Sequence, residues 1–140
     1  MKKEWSPKWV SSVQPRKQRK FRYNAPLHTR RKFVSVHLQK DLRERFETRA
    51  VPVRVGDDIR VMRGSFKGKT GTVEKVLLSS SKIYVTGIKV KKVDGSEVAV
   101  ALQPSNLLIT KLNTDDKMRV KMLERKRGTE VKTVAKEEKK

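Results

Sequence analysis

The stretch from Gly56 to Val76 constrains the fold of this chain more than any other, because it reads as two short extended runs around a glycine-rich turn. Before the turn, Ile59 and Val61 alternate with polar residues, and an extended pattern resumes at Thr72. A period of two is typical of strands that bury one face, so we predict a β-hairpin here.

The tip of this hairpin combines glycine with positive charge. Glycine reaches backbone angles with positive φ at little cost, so the glycines are expected first to serve the turn, Gly71 above all. Their N–H groups and the neighbouring cations are also suited to a phosphate, although the pattern alone fits a solvated surface loop better. The candidate contact residues at this tip are Arg63, Gly64, Lys67, Gly68 and Lys69.

Basic residues are concentrated at the start of the chain. The 140 residues carry 36 Lys and Arg against 15 Asp and Glu, a formal charge of +21. Residues 1–55 account for 16 of the basic and 4 of the acidic residues, and the interval from Lys8 to Lys40 holds ten basic residues and no acidic one. Such an excess indicates a polyanionic partner, and nucleic acid is the leading candidate.

Within this basic arm we predict a helix from Pro15 to Asn24, because proline suits a first helical turn and Ala25-Pro26 suits an end. The segment has too few apolar residues to bury a face, so it needs a partner, and free in solution it could equally be a disordered basic tail. The basic side chains would point around most of the helix, which favours a position of this helix among RNA phosphates. Its aromatic residues would then lie beside unpaired bases. The candidate RNA contacts are Arg16, Lys17, Arg19, Lys20, Phe21, Arg22, Tyr23 and Asn24.

The arm continues with a basic cluster held by apolar anchors at Phe33, Val34, Val36 and Leu38. A second short helix is predicted over residues 39–46, because Leu42 and Phe46 lie four residues apart. His37 is expected to be packed. Candidate RNA contacts in this part are His28, Arg30, Arg31, Lys32, Lys40 and Arg43.

The fold class is predicted to be mainly β, with a small five-stranded barrel over residues 52–111. After the hairpin we expect strands over 73–78, over 82–90 with a bend at Gly87, over 97–102 and over 107–109, with Asp94-Gly95 as a hairpin turn. In the strand over 82–90 we expect Ile83, Val85, Ile88 and Val90 to face inward, and in the strand over 97–102 the residues Val98, Val100 and Leu102 alternate strictly. The predicted core residues are Val61, Val73, Val85 and Val100. Pro52 is expected to end regular structure before the barrel. Asn106 and Lys111 are weaker candidate RNA contacts.

The two ends of the chain flank these parts. Thr114 with Asp115 and Asp116 predicts the start of a C-terminal helix that runs to about Lys126 and leaves Arg119 available for contacts. The resulting organisation is an N-terminal extension (1–13), a basic arm with short helices (14–51), the barrel (52–111), the C-terminal helix (112–127) and a mobile charged tail (128–140).

Several classes of function find no support in the composition. The chain has no cysteine, which excludes disulfides and thiolate metal sites. We recognise no nucleophile and base pair, carboxylate dyad or metal cluster, so we predict no catalysis, no metal and no cofactor. Neither a secretory leader nor an apolar run of the about 20 residues needed for a membrane span is found.

The spacing of the hairpin, Gly-Asp-x-Ile-x-Val-x-x-Gly-x-x-Lys-Gly-x-x-Gly-x-Val, resembles the KOW motif of several ribosomal proteins and transcription elongation factors. That resemblance implies an SH3-like barrel. Further segments match in order: QPRKQRKFRYNAPLH, RRKFVSVHL with LRERF, PVRVGD, and PSNLLITKL with DDKMR and LERK. Together they resemble the large-subunit ribosomal protein family numbered twenty-four in bacteria and twenty-six in eukaryotes, in its archaeal and eukaryotic branch. Gln39 and Gln103 depart from the family pattern, at a helix cap and at one RNA contact.

The resemblance implies a structural constituent of the large ribosomal subunit in the cytoplasm. Such a protein binds the 5′ region of large-subunit ribosomal RNA early in assembly and lies near the mouth of the nascent-chain tunnel. The implied partners are ribosomal RNA, neighbouring ribosomal proteins and, at the tunnel, the nascent chain or targeting factors. Membrane insertion and self-association are not expected.

Two other readings use the same features. A transcription-factor module could use the hairpin to bind polymerase or nascent RNA, but the space before the hairpin holds a basic arm and shows no βαβ pattern. A DNA-compacting chromatin protein is possible on charge alone, and it would bind duplex DNA as well as ribosomal RNA.

Overall fold

The fold consists of short strands and helices, as seen in a computed structural model that describes residues 5–6 and 12–127. The helices are α1 (Pro15–Asn24), α2 (Leu27–Phe33), α3 (Lys40–Phe46) and α4 (Lys117–Arg127), with a 3-10 turn at Pro104–Asn106. The strands are β1 (Ser35–Leu38), β2 (Ala50–Pro52), β3 (Asp58–Val61), β4 (Thr70–Leu77), β5 (Lys82–Val85), β6 (Lys89–Lys91), β7 (Glu97–Ala99) and β8 (Leu107–Lys111). The tail 128–140, for which mobility is predicted, lies outside the described residues. So does Trp9 in the N-terminal extension.

The strands confirm a mainly β architecture, but their pairing differs from a five-stranded ring. Six strands form one sheet in the order β2-β1-β8-β3-β4-β5, in which only β1 and β8 run parallel, and β6 pairs with β7 separately. A bridge between Ile83 and Leu102 and a bond from the Val100 N–H to the Ile88 carbonyl join the two sheets. Within the described part of the chain the pairings do not close into a barrel.

Two strands of the sheet, β1 and β2, were not expected from the sequence. In β1 the residues Val36 and Leu38 are fully buried and the alternate positions are half-buried, which is the period of a strand with one face on a core. Pro52 was expected to end regular structure before the barrel, but it is the last residue of β2. A proline is tolerated there because β2 is an edge strand, which has a partner strand on one side only.

The core lies between the large sheet and the helices α3 and α4. Val61, Val73 and Val85 are buried as predicted, and Val100 packs partly against them. Leu42 and Phe46 of α3 and Leu123 of α4 cover the same cluster. The helices that flank the sheet are therefore held by apolar burial, the dominant stabilising force in a domain of this size.

The expected third strand is divided into β5 and β6 by a turn at Gly87, whose φ of 79° no side-chained residue adopts easily. This turn directs β6 and β7 away from the sheet. Val90 and Val98, which pair across them, are 48% and 43% exposed. The prediction that Val90 faces inward was wrong, because an alternating pattern shows that its residues share one face of the strand but not on which side the core lies.

The predicted helices have mixed outcomes. The limits of α1 are confirmed, and α3 begins one residue later than expected, after Gln39, whose side chain makes no capping bond. Helix α4 begins at Lys117 and not at Thr114, because the Asp116 carboxylate accepts the N–H of Met118 at 2.7 Å and so caps the helix.

Arg119 of α4 is buried, although it was expected to be available for contacts. Its guanidinium donates to both carboxylate oxygens of Asp57, at 2.5 and 2.7 Å, and to the carbonyl of Asn113 at 2.7 Å. Asp57 also accepts the backbone N–H groups of Arg54 and Asn113 at 2.9 Å. This pair fastens α4 to the start of the hairpin.

Candidate nucleic-acid interface

Helix α1 presents most of its basic side chains to solvent. No α1 residue is buried, and Arg16, Lys17, Arg19 and Lys20 are all exposed. Tyr23 is 78% exposed near the end of the helix. The structure thus leaves the cations and the Tyr23 ring accessible to a partner.

Phe21 is the exception on this helix. Its ring centroid lies 5.0 Å from that of Trp5 and 6.4 Å from that of Phe33, and the Trp5 indole donates to the Phe21 carbonyl at 3.2 Å. These contacts partly bury Phe21 against its own chain. The sequence indicated that α1 needs a partner to hold it, and part of that support comes from Trp5 and Phe33.

The predicted basic residues 30–32 lie on α2, a seven-residue helix that the sequence did not indicate. Arg31, Lys32 and the preceding His28 are exposed. Arg30 is different, because its Nε donates to the Ala25 carbonyl at 2.8 Å and a terminal nitrogen donates to the Tyr23 carbonyl. The Arg30 guanidinium bonds to the last carbonyls of α1 and so caps that helix. Arg30 therefore helps to position the end of α1, including Tyr23.

Helix α3 adds two further candidates. Lys40 is exposed and pairs loosely with Glu44 at 3.9 Å, a contact that contributes little in water. The Arg43 side chain donates from Nε to the Leu38 carbonyl at 2.6 Å and remains exposed. Arg43 therefore fixes the connection between β1 and α3 while part of its charge stays at the surface.

The hairpin tip between β3 and β4 is a folded loop over residues 62–69. The N–H groups of Lys67, Gly68 and Lys69 bond to carbonyls at Gly64, Val61 and Phe66, at 2.8 to 3.1 Å. These three N–H groups are already used within the loop, so they are not the donors that a phosphate at the tip would meet.

The cations of this tip are accessible: Arg63, Lys67 and Lys69 are exposed, and Lys69 lies 5.2 Å over the ring of Phe66. Phe66 also packs against the core and so anchors the loop. This anchor was not predicted from the sequence, although an aromatic residue within a basic glycine-rich turn is a usable signal.

The three tip glycines have different roles. Gly64 and Gly68 adopt φ of 92° and 88°, as a tight loop requires. Gly71 lies in β4 without a positive φ, and a Cβ there would come within 2.6 Å of the Thr86 carbonyl oxygen and 2.8 Å of Val85 Cγ1. The expected backbone requirement at Gly71 is thus a close strand approach and not a turn.

The two weaker candidates lie at opposite ends of β8. The Asn106 carbonyl accepts the N–H of Met62 at 2.7 Å, which places Asn106 beside the hairpin tip. Lys111 is exposed and lies opposite Asp58, at the other end of β3. Asn106 can share a ligand with the tip, whereas Lys111 belongs to a different region of the surface.

Two carboxyl groups away from these cations have a lowered pKa. The Arg54 guanidinium, followed by the Met118 N–H, lowers the pKa of the Asp116 carboxyl below its ordinary value of 3.8. Hydrogen bonds from the Ser96 hydroxyl and N–H lower the pKa of Asp94 in the turn between β6 and β7.

In the described ranges 5–6 and 12–127, no group of three His, Cys, Asp or Glu side chains is arranged to bind a metal ion. The helices of those ranges are also too short or too polar to traverse a bilayer.

Comparison with known proteins adds independent information. The family model of the eukaryotic ribosomal proteins L26 and their archaeal counterparts matches residues 12–126. The "Large ribosomal subunit protein uL24" of Methanocorpusculum labreanum is 51% identical to this chain over 115 residues, which are 82% of this chain and 95% of that relative. The match spans α1, the sheet and nearly all of α4.

Proposed function

Because this chain belongs to the family of eukaryotic ribosomal proteins L26 and their archaeal counterparts, we propose that it binds large-subunit ribosomal RNA through its arm and hairpin tip. The family identifies the chain as a structural constituent of the large ribosomal subunit, located in the cytoplasm and without catalytic activity. Association with ribosomal RNA and other ribosomal proteins follows from this assignment. The particular contacts and the position in the subunit are what we propose.

The observation that carries the proposal is the exposure of the α1 cations. Helix α1 contains no acidic residue, and it leaves Arg16, Lys17, Arg19 and Lys20 in solvent. These uncompensated charges on one short helix repel one another unless a polyanion neutralises them. Phosphate neutralisation with release of counterions supplies the affinity in such interfaces.

We assign the candidate residues to an RNA-binding surface with two parts, and Lys111 to a separate, weaker contact. The arm part binds phosphates and stacks on unpaired bases, while the tip and Asn106 form a second contact. Phe21, Arg30 and Arg43 contribute partly by positioning their neighbours, as their contacts within the chain support. The full set is Arg16, Lys17, Arg19, Lys20, Phe21, Arg22, Tyr23, Asn24, His28, Arg30, Arg31, Lys32, Lys40, Arg43, Arg63, Gly64, Lys67, Gly68, Lys69, Asn106 and Lys111.

We further propose that the RNA is the 5′ region of the large-subunit ribosomal RNA, that binding helps to initiate subunit assembly, and that the chain lies near the tunnel exit. There it would meet neighbouring ribosomal proteins and the nascent chain or a targeting factor. In this arrangement the protein acts as a single copy. The residues 14–51 form the RNA-binding arm, which also contributes β1 and β2 to the sheet.

We also propose that residues 52–111 correspond to an SH3-like barrel of the KOW type. The support is local: β3 and β4 form the motif hairpin, β4 bends at a register shift between Val73 and Lys75, and the Ile83–Leu102 bridge turns the chain back on β5. Bulges and close glycine packing are the usual means by which a small sheet curves.

The test is a salt titration of RNA binding by the full chain. Replacing Arg16, Lys17, Arg19 and Lys20 together by Gln should weaken binding to a transcript of the 5′ region. The slope of the logarithm of the binding constant against the logarithm of the salt concentration should become shallower by roughly three. The melting temperature should change little, because all four side chains are exposed.

The matched control neutralises four exposed cations of the sheet region: Arg60, Lys75, Lys91 and Lys92. This control should leave the slope near that of the wild type. An unchanged slope in the arm variant would refute the arm as the anchor. Equal affinity for duplex DNA at matched salt would instead favour a chromatin protein.

A further inference from the structure

A cleft of about 280 Å³ lies between the helical arm and the sheet. One wall comes from α1 and α2, and the other from the turn between β4 and β5 together with Gln103. These segments are far apart in the chain, so only the folded arm creates the cleft. Its volume is at the lower limit of ligand pockets, about 300 Å³, which suits one nucleobase and not a larger ligand.

The helical wall carries cationic and aromatic groups. Arg19, Arg22 and Tyr23 lie on one face of α1 at spacings of three and four residues. The Arg22 guanidinium lies 5.2 Å from the ring centroid of Phe33, also in the wall. Flat guanidinium and aromatic surfaces are the groups on which unstacked RNA bases are held.

The helical wall is held in place before any ligand arrives. Arg30 bonds to the carbonyls of Tyr23 and Ala25, which fixes the end of α1 beside the cleft. Ala25 itself is 3% exposed. Tyr23 therefore combines a restrained backbone with a ring that is 78% exposed, so a base can reach the ring and only the side-chain torsions have to be ordered when it stacks.

The opposite wall supplies hydrogen-bonding groups. Ser79, Ser80 and Ser81 form the turn between β4 and β5, and Gln103 lies beside them. Ser81 adopts a φ of 53°, an uncommon angle for a residue with a side chain. Hydroxyl and amide groups both donate and accept, as the edges of a base require. Of the described residues that line the cleft, three are arginines and none is acidic.

We propose that this cleft holds one nucleotide unstacked from an RNA strand. Tyr23 stacks on the base, the serine turn and Gln103 bond to its edge, and Arg19 neutralises the attached phosphate. This inference rests on the proposed RNA-binding function and deepens it, because it assigns a single-stranded feature to one defined site. A fully base-paired RNA has no unstacked nucleotide and would leave the cleft empty.

The test measures binding of the full chain to the 5′-region transcript. Tyr23→Ala should lower affinity roughly 5- to 150-fold, the loss expected for one base stack. The salt slope should not change, because no charge is removed. Tyr23→Trp should restore binding. The control Leu27→Ala removes a 57% exposed apolar side chain outside the cleft and should bind like the wild type.

Two further readouts complete the test. Ultraviolet crosslinking of the wild-type complex should place a nucleotide on the peptide with Tyr23 or Phe33, and adducts confined to other segments would overturn the proposal. Displacement of the transcript by sub-millimolar free AMP would also overturn it, in favour of a free-nucleotide site. If the wild type binds and Tyr23→Ala equals Leu27→Ala, the cleft assignment alone is wrong. If the wild type shows no salt-dependent RNA binding, the proposed function fails and the cleft assignment with it.

Discussion

The buried pair of Asp57 and Arg119 permits a quantitative prediction. The two side chains are 0% and 1% exposed, and their bidentate contact joins segments 62 residues apart. Removing one partner leaves the other charge buried without compensation, which costs about 3–5 kcal/mol. We therefore expect Arg119→Met to lower the free energy of unfolding by that amount, a large share of the about 5–15 kcal/mol typical of a domain.

Asp57 should behave differently from its partner. Its carboxylate also accepts the N–H groups of Arg54 and Asn113. Asp57→Ala therefore leaves these two partly buried donors unpaired, at up to about 1–3 kcal/mol each, in addition to the buried charge of Arg119. The double variant should be less destabilised than the sum of the single variants, because it no longer buries a lone charge. It should nevertheless remain less stable than the wild type.

The assay is urea unfolding of the full chain, followed by circular dichroism at constant salt. Lys117→Met is the matched control, because it removes an exposed cation from the same helix and should change stability by less than about 0.5 kcal/mol. An Arg119→Met variant within about 1 kcal/mol of the wild type would refute the reasoning. Additive effects in the double variant would show that the two side chains do not act as a pair.

Two further predictions concern the hairpin and the start of α4. Gly71→Ala should destabilise the fold by about 1–3 kcal/mol, because its Cβ meets the Thr86 carbonyl, whereas Gly64→Ala, with open space around it, should cost only backbone strain. Thermal melts measure both variants, and a Gly71→Ala variant as stable as the wild type would contradict close packing at Gly71. The lowered pKa of Asp116 means that its carboxylate stabilises the fold above its unfolded value of 3.8, and that this stabilisation is lost as pH falls through the folded value. The stability difference between the wild type and Asp116→Asn should therefore narrow between neutral pH and acid, and a constant difference would argue against the Arg54 contact.

Local signals in the sequence were sufficient for the elements whose cause is local. The limits of α1 follow from Pro15 and from the Ala25-Pro26 pair, and the motif hairpin follows from alternation and glycine. The accessible cations of α1 were predicted because no nearby acidic residue or apolar stripe could bury them. Family membership was likewise readable from the order of short motifs.

What the sequence determined by itself is therefore the charge, the motif hairpin and the first helix, since each depends on neighbours within a few residues. Tertiary structure alone decided that Arg119 is buried against Asp57 and that Phe21 packs between Trp5 and Phe33. It also decided that the serine turn faces α1 across a cleft. The physical reason is that a side chain's type states what it can bind, whereas its partner depends on which distant segment the fold brings within hydrogen-bonding or van der Waals distance.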